Sequence, residues 1–135
     1  MNNTRPISVL LVDDNLTFLR IATRFLDAYD DVTVVGAVTD GEQALTQVQE
    51  LKPDVVLIDT AMPDLVGGLD FLSRLRAVLP SVGIIALTLI GTDGYQQAAL
   101  DAGADEVVPK AAMGTDLLAA IRRVRRAGEE WKRRV

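Results

Sequence analysis

The feature that most constrains the fold is a set of short apolar runs, each of which ends on a polar residue. The run Ile7–Val12 is followed by Asp13 and Asp14, and the run Val55–Ile58 is followed by Asp59. Continuous apolar runs of this length are typical of strands buried on both faces of a parallel sheet. Parallel strands put their carboxyl ends along one edge, which is where ligands bind in open α/β sheets. We therefore expect the three acids to converge.

Two further runs complete the pattern. Ile84–Leu87 ends on Thr88, and Val107–Pro109 ends on Lys110. Three carboxylates in one small site repel one another unless a cation lies among them. A hard divalent ion such as Mg²⁺ takes carboxylate, carbonyl and water oxygens, so it fits such a site.

Strand and helix patterns alternate five times along the chain, which predicts a parallel α/β sheet. Asn15 is a candidate N-cap for a first helix. The apolar stripe of that helix is predicted to contain Phe18, Ile21, Ala22, Phe25 and Leu26. The segment from Thr39 to Glu42 opens a second helix. Gly103 suits the position just after a fourth helix. The predicted strands are Ile7–Val12, Val32–Val38, Val55–Ile58, Val82–Leu87 and Glu106–Val108.

Cysteine and histidine are both absent from the 135 residues. Their absence excludes disulfides, thiol chemistry, zinc sites built on soft ligands, and a histidine general base. No apolar stretch approaches the length of a membrane span, and the N-terminus lacks a signal-peptide core. We expect a single domain in the cytoplasm, without a membrane partner.

Charge is distributed unevenly along the chain. The net charge is −5, yet residues 121–135 carry seven basic and two acidic groups. The rest of the chain is therefore strongly acidic, which argues against direct nucleic-acid binding by this domain because phosphate contacts need clustered Lys and Arg. The basic segment is consistent with a helix whose solvated cations favour its C-terminus, or with contact to an acidic partner.

The ordered set of strand-end residues resembles the receiver domain of two-component response regulators. The matching stretches are Leu11–Asn15, Asp59–Pro63, Ala86–Thr88 and Val108–Lys110, and the likeness runs from about residue 7 to residue 126. It implies a flavodoxin-like (βα)5 three-layer sandwich with strand order 2-1-3-4-5. Residues 6–127 would form the receiver, and residues 128–135 a basic tail or the start of a linker.

The resemblance also implies roles for the site residues. Asp59 would accept a phosphoryl group, and Thr88 and Lys110 would contact it. Mg²⁺ would be held by Asp14, Asp59 and the main-chain carbonyl of Ala61, with Asp13 acting mostly through water. The donor would be a sensor histidine kinase or a histidine phosphotransfer protein, and phosphorylation could drive homodimer formation. The chain would be a signalling module, not an enzyme.

Several positions depart from the receiver pattern. Leu89 follows Thr88 where a small residue is usual, so it could narrow access to Asp59. Val107 replaces an aromatic residue that turns inward in many receivers, and the loop from Pro63 to Leu69 is one residue longer than usual. Ala111 and Ala112 after the lysine resemble LuxR/NarL-type regulators. Such regulators control transcription through an output domain, which these residues do not contain.

Two alternatives remain open. The chain could be a degenerate receiver that acts as a binding module without phosphorylation. More remotely, it could be a Mg²⁺-dependent phosphatase with an aspartate nucleophile. Haloacid-dehalogenase-like enzymes of that kind have a general acid two residues after the nucleophile, where this chain has Ala61.

Overall fold

Five parallel strands form one sheet in the order β2-β1-β3-β4-β5. The structure is a computed structural model that describes residues 5–60, 68–89 and 93–134. The strands are β1 Ile7–Val12, β2 Val32–Val38, β3 Val55–Asp59, β4 Gly83–Thr88 and β5 Glu106–Pro109. The helices are α1 Leu16–Asp27, α2 Gly41–Leu51, α3 Gly68–Val78, α4 Asp93–Ala102 and α5 Met113–Arg134, with a 3₁₀ turn at Lys110–Ala112 before α5. The predicted fold class and strand order are confirmed.

Two separate apolar cores lie on opposite faces of the sheet. One is built from α1 and α5 against alternate strand residues such as Leu57, and the other from α2, α3 and α4 against the intervening residues such as Ile58. Both side chains of β3 named here are fully buried. Each strand therefore supplies both cores, which explains why its sequence is continuously apolar instead of alternating.

Local capping signals set several helix ends, and those at Asn15 and Gly103 are as predicted. The side chain of Asn15 accepts a hydrogen bond from the amide of Phe18 and caps α1. Asp40 caps α2 in the same way through the amide of Gln43. Gly103 follows α4 with φ of 125°, a left-handed conformation that glycine adopts without strain.

Helix α5 approaches the start of β4 closely because glycine leaves room for it. A methyl group placed on Gly83 would lie 2.8 Å from Cγ2 of Val124, and one placed on Gly128 would lie 2.9 Å from the carbonyl oxygen of Ser81. The helix continues past Gly128 to Arg134, so the residues predicted as a tail or linker are helical as far as Arg134.

One predicted core position is wrong. The apolar spacing predicts Ile21 on the inner stripe of α1, yet its side chain is 52% exposed, whereas Leu19 is buried. The buried face of α1 is centred on Leu19, Ala22 and Leu26. Apolar spacing alone does not show where this face ends, so the predicted stripe wrongly includes Ile21. Among the described residues, no helix is both long enough and apolar enough to cross a lipid bilayer.

Candidate functional site

The residues predicted to form the site lie at the carboxyl edge of the sheet. Asp13 and Asp14 follow β1, Asp59 is the last residue of β3, Thr88 is the last residue of β4, and Lys110 follows β5. The sheet register brings these strand ends side by side. Asp59 lies opposite Leu87, and Thr88 lies opposite Pro109, the residue before Lys110.

Three carboxylates meet at this edge. One carboxylate oxygen from each of Asp13, Asp14 and Asp59 lies within 4.8 Å of the other two. Asp13 is 1% exposed and Asp59 is 8% exposed, whereas Asp14 is exposed to solvent. The cluster is therefore closed on one side by the protein and open to water on the other.

Lys110 lies between two of the acids. Its Nζ is 2.6 Å from Oδ2 of Asp13 and 3.3 Å from Oδ2 of Asp59, where it donates a hydrogen bond. Only 11% of the lysine side chain is exposed. The same Nζ lies 4.3 Å from the ring centroid of Phe18. The ammonium group thus neutralises part of the carboxylate charge at this site.

Asp13 is held by the backbone around it. Its amide donates to the carbonyl of Val38 at 3.1 Å, and its Oδ1 accepts from the amide of Asn15 at 2.9 Å. Its Oδ2 is buried and accepts no well-aligned hydrogen bond within the described part of the chain, although Lys110 lies beside it. A buried carboxylate oxygen in this condition keeps lone-pair capacity for another positive group.

The electrostatic environment shifts three ionisable groups. Burial raises the pKa of the Asp13 carboxyl above its usual value, although Lys110 and the Asn15 amide act in the opposite direction. Burial opposes the charged form of Lys110, but the close ion pair with Asp13 and the charges of both acids outweigh it, so the pKa of Lys110 is raised. Burial, followed by the charge of Asp59, raises the pKa of Tyr95 at the start of α4.

Two threonines and one leucine lie at the strand ends beside the acid cluster. Thr88 is 3% exposed, and Thr60 is buried with a hydroxyl oxygen that has no partner among the described residues. Leu89 is 81% exposed, so its side chain does not pack over the acids in this conformation. Ala61, predicted to supply a carbonyl ligand, lies outside the described residues, as does most of the loop after it.

The donor set suits a hard cation. Three carboxylates within 4.8 Å and a buried Oδ2 without a well-aligned hydrogen bond are the oxygen ligands that Mg²⁺ prefers, and the exposed side leaves room for water. A divalent ion would compete with Lys110 for the same carboxylates. The residues present therefore fit a metal that shares the site with the lysine.

Sequence reasoning missed two neighbours of the site. Phe18 was predicted only as a core residue of α1, and Tyr95 received no role. No local signal in the sequence marks either one, because each reaches the site from a helix packed against it. The aromatic ring at the lysine comes from α1 and the phenol near Asp59 comes from α4.

Comparison with known proteins identifies one family, that of the response regulators. The family model described as response regulator receiver domain matches residues 9–122. The response regulator GacA of Pseudomonas viridiflava is 38% identical over 118 residues, which cover 87% of this chain and 55% of that protein. The response regulator protein VraR of Staphylococcus aureus is 34% identical over 121 residues, which cover 89% of this chain and 57% of that protein. The chain thus spans about half the length of the curated relatives it matches.

Solved structures share the fold. The response regulator domain of CheB from Thermotoga maritima superposes with a TM-score of 0.82 at 28% identity, covering 90% of this chain and 98% of that one. The signal receiver domain of the response regulator NarL from Mycobacterium tuberculosis also has a TM-score of 0.82, at 26% identity, with the same coverage of both chains.

Proposed function

The chain belongs to the response regulator receiver domain family, and we propose that the Asp59 carboxylate accepts a phosphoryl group in a Mg²⁺-dependent reaction. In this proposal the domain is a switch in a two-component phosphorelay and not an enzyme with turnover. It works in the cytoplasm, and its phosphorylated form presents a changed surface to a partner or to a second copy of itself. Control of transcription would need an output domain outside these residues.

One observation carries the proposal. One carboxylate oxygen from each of Asp13, Asp14 and Asp59 lies within 4.8 Å of the other two, and the Lys110 ammonium contacts two of these acids from the end of another strand. The cluster therefore combines a nucleophile, further carboxylates that can hold a cation, and a fixed positive charge. Phosphoryl transfer needs positioning and charge neutralisation more than covalent chemistry from the protein, and this arrangement offers both.

Asp59 is suited to be the nucleophile because it is held at the end of β3, whose five residues are all buried. A carboxylate oxygen of Asp59 attacks phosphorus in line, and the bond between phosphorus and the donor nitrogen breaks. The electron pair of that bond leaves with the donor imidazole, which takes its proton from water. The products are an aspartyl phosphate and a free histidine on the donor.

Lys110 and Thr88 are suited to hold the transferred group. The ammonium of Lys110 can pass from the Asp59 carboxylate to a phosphoryl oxygen, since it already lies 3.3 Å from Oδ2. Thr88 ends the neighbouring strand and carries the hydroxyl closest in register to Lys110. Mg²⁺, held by Asp13, Asp14, Asp59 and the carbonyl of Ala61, would neutralise charge on the transferring group.

The donor belongs to another protein in this proposal. The chain contains no histidine, so a phosphohistidine must come from a sensor histidine kinase or a histidine phosphotransfer protein. The acid cluster is compatible with such a donor, because it is open to solvent on the side of the exposed Asp14.

Intact mass spectrometry tests the acceptor. Wild type, Asp59→Asn and Asp27→Asn are incubated with Mg²⁺ and acetyl phosphate, and mass is followed over time. Asp27 is an exposed residue at the end of α1, so its amide variant is the matched control. We expect one phosphoryl group on wild type and on Asp27→Asn, and none on Asp59→Asn. Uptake by Asp59→Asn would contradict the assignment.

An unmodified wild type would be examined further with beryllofluoride. Amide resonances that shift on titration would show an intact site that acetyl phosphate cannot reach, as a barrier at Leu89 would produce. Resonances that do not shift would contradict the proposal and favour a binding module that acts without phosphorylation.

A further inference from the structure

The Lys110 ammonium has an aromatic neighbour as well as two acidic ones. Its Nζ lies 4.3 Å from the centroid of the Phe18 ring. A cation within about 6 Å of a ring centroid is attracted by the negative face of the ring, and more strongly when both groups are shielded from water. Only 11% of the Lys110 side chain is exposed, so this contact is largely desolvated.

The ring is tied to the acid pair through the start of α1. Asn15 donates its amide to Oδ1 of Asp13 at 2.9 Å, and its own side chain accepts from the amide of Phe18 at 3.0 Å. The Phe18 ring in turn contacts the Lys110 ammonium, whose Nζ lies 2.6 Å from Oδ2 of Asp13. These contacts form a closed circuit, so the place of the ring is coupled to the place of the carboxylate.

A lysine that is to contact a phosphoryl oxygen needs a neighbour that holds its ammonium group without occupying the N–H donors. Lysine is a compact charge on a flexible four-carbon stem, and its direction is set by what surrounds it. A carboxylate that fixes the ammonium also withholds it from an incoming phosphoryl oxygen. An aromatic face attracts the same charge without accepting a strong hydrogen bond, so the N–H groups remain available to oxygen.

We propose that Phe18 is a positioning residue that holds the Lys110 ammonium at the acid cluster and keeps it available to the phosphoryl group. The role in transfer rests on the proposed function. The positioning of Lys110 does not, because it concerns the protein before any phosphoryl group arrives.

Phe25 offers a matched control for the packing role of Phe18. Both side chains are partly buried and pack against the same core from α1, two turns apart. Phe25 contacts the ring of Tyr29 edge to face at 5.7 Å. Loss of either ring should therefore disturb the core, but only loss of Phe18 should disturb Lys110.

The first measurement is NMR of the lysine ε-methylene groups in metal-free protein. The chain has only three lysines, Lys52, Lys110 and Lys132, so the signals are assigned with one arginine variant of each. A ring face 4.3 Å away should shift the Lys110 protons upfield of the other two. That shift should vanish in Phe18→Leu and persist in Phe25→Leu. A Lys110 signal that coincides with the other lysines in wild type would overturn the proposal.

The second measurement separates electrostatics from shape. Phenylalanine analogues carrying one, two and three fluorines are placed at position 18 by codon suppression, which weakens the negative face of the ring while nearly preserving its size. We expect Lys110 ¹³Cε relaxation to report greater side-chain mobility with each fluorine. Phosphorylation by acetyl phosphate should slow progressively, by about 2-fold to 30-fold over the series.

The outcomes distinguish the two proposals. If wild type takes up no phosphoryl group, the proposed function fails, and Lys110 mobility alone decides whether Phe18 positions the lysine. If wild type is phosphorylated but neither mobility nor rate follows fluorination, Phe18 is a packing residue only and the positioning proposal is overturned.

Discussion

Lys110 pairs directly with Asp13, with Nζ 2.6 Å from a carboxylate oxygen that is itself buried. The lysine therefore neutralises part of the charge of the acid cluster before any metal or phosphoryl group binds. A divalent cation entering the site has to share the carboxylates with an ammonium group already in contact with two of them. The stability of the metal-free protein and its affinity for metal are thus linked through one side chain.

Replacement of the lysine should separate these two quantities. Lys110→Met leaves clustered carboxylates without their cation, so the free energy of unfolding in EDTA should fall by about 3 kcal/mol, as when one partner of a buried ion pair is removed. Mg²⁺ should restore more stability to the variant than it adds to wild type, because no ammonium competes with it. Urea unfolding with and without Mg²⁺ measures both effects. Lys132→Met, at an exposed position, is the control, and a variant as stable as wild type in EDTA would contradict the prediction.

The two neighbouring acids should respond in opposite directions. Asp14 is exposed and adds repulsion between carboxylates. Asp14→Ala should therefore raise the melting temperature of the metal-free protein slightly, which corresponds to a gain of less than about 1 kcal/mol in the free energy of unfolding. Asp13→Ala should lower it, because Lys110 and the Asn15 amide both lose an acceptor. Calorimetric Mg²⁺ titration should show weaker binding in both variants. A destabilised Asp14→Ala protein would show that repulsion is not what limits the metal-free state.

Acid should weaken the contact between α5 and the turn before β2. The Arg122 guanidinium hydrogen-bonds Asp31 and holds the pKa of that carboxyl below its usual 3.8. The folded state therefore keeps Asp31 ionised where the unfolded chain protonates it. This contribution is present above the unfolded pKa and is lost as pH falls through the folded pKa.

Urea midpoints measured from about pH 5 down to pH 2.5 test that linkage. Arg122→Gln should lose less stability over this range than wild type does. Arg126→Gln removes an exposed arginine from the same helix and should follow wild type. Parallel curves for all three proteins would mean that the ion pair makes no difference between the folded and unfolded states.

The contact between Gly83 and Val124 should be sensitive to a single methyl group. Gly83→Ala would place its Cβ 2.8 Å from Cγ2 of Val124, and overpacking of this kind costs about 1–3 kcal/mol. Val124→Ala removes the obstructing methyl groups but leaves a cavity. The double variant should lose less free energy of unfolding than the two single variants lose together. A double-mutant cycle by urea unfolding measures the difference. Strict additivity would contradict the steric explanation.

Much of the fold was predictable because its signals are local. The cap at Asn15 and the left-handed Gly103 each act within a few residues, so sequence spacing predicts them. Spacing also predicts that α2 begins near Thr39–Glu42, but not that Asp40 is the residue that caps it. The strand order depended on a family resemblance, since periodicity does not say which strands are neighbours. Ile21 was misplaced because a stripe of apolar residues does not show where burial stops.

The candidate site was predictable as a set of strand-end residues but not as a geometry. Parallel strands bring Asp13, Asp59 and Lys110 to one edge, and that much follows from the sequence. Which acid the lysine contacts more closely depends on side-chain packing between elements far apart in the chain. No sequence motif marks Phe18 for the same reason. The roles assigned to Asp13, Asp59 and Lys110 stay predictions until phosphorylation is measured.

The division into two cores has a consequence for how such a domain can diverge. The acid cluster is carried by strand ends, while α1 with α5 and α2 with α3 and α4 pack on opposite faces without sharing a core. Substitutions can therefore accumulate in one helical layer while the other layer continues to support the same strands. The outer surfaces of the two helical layers can therefore change one at a time, while the cluster at the strand ends stays the same.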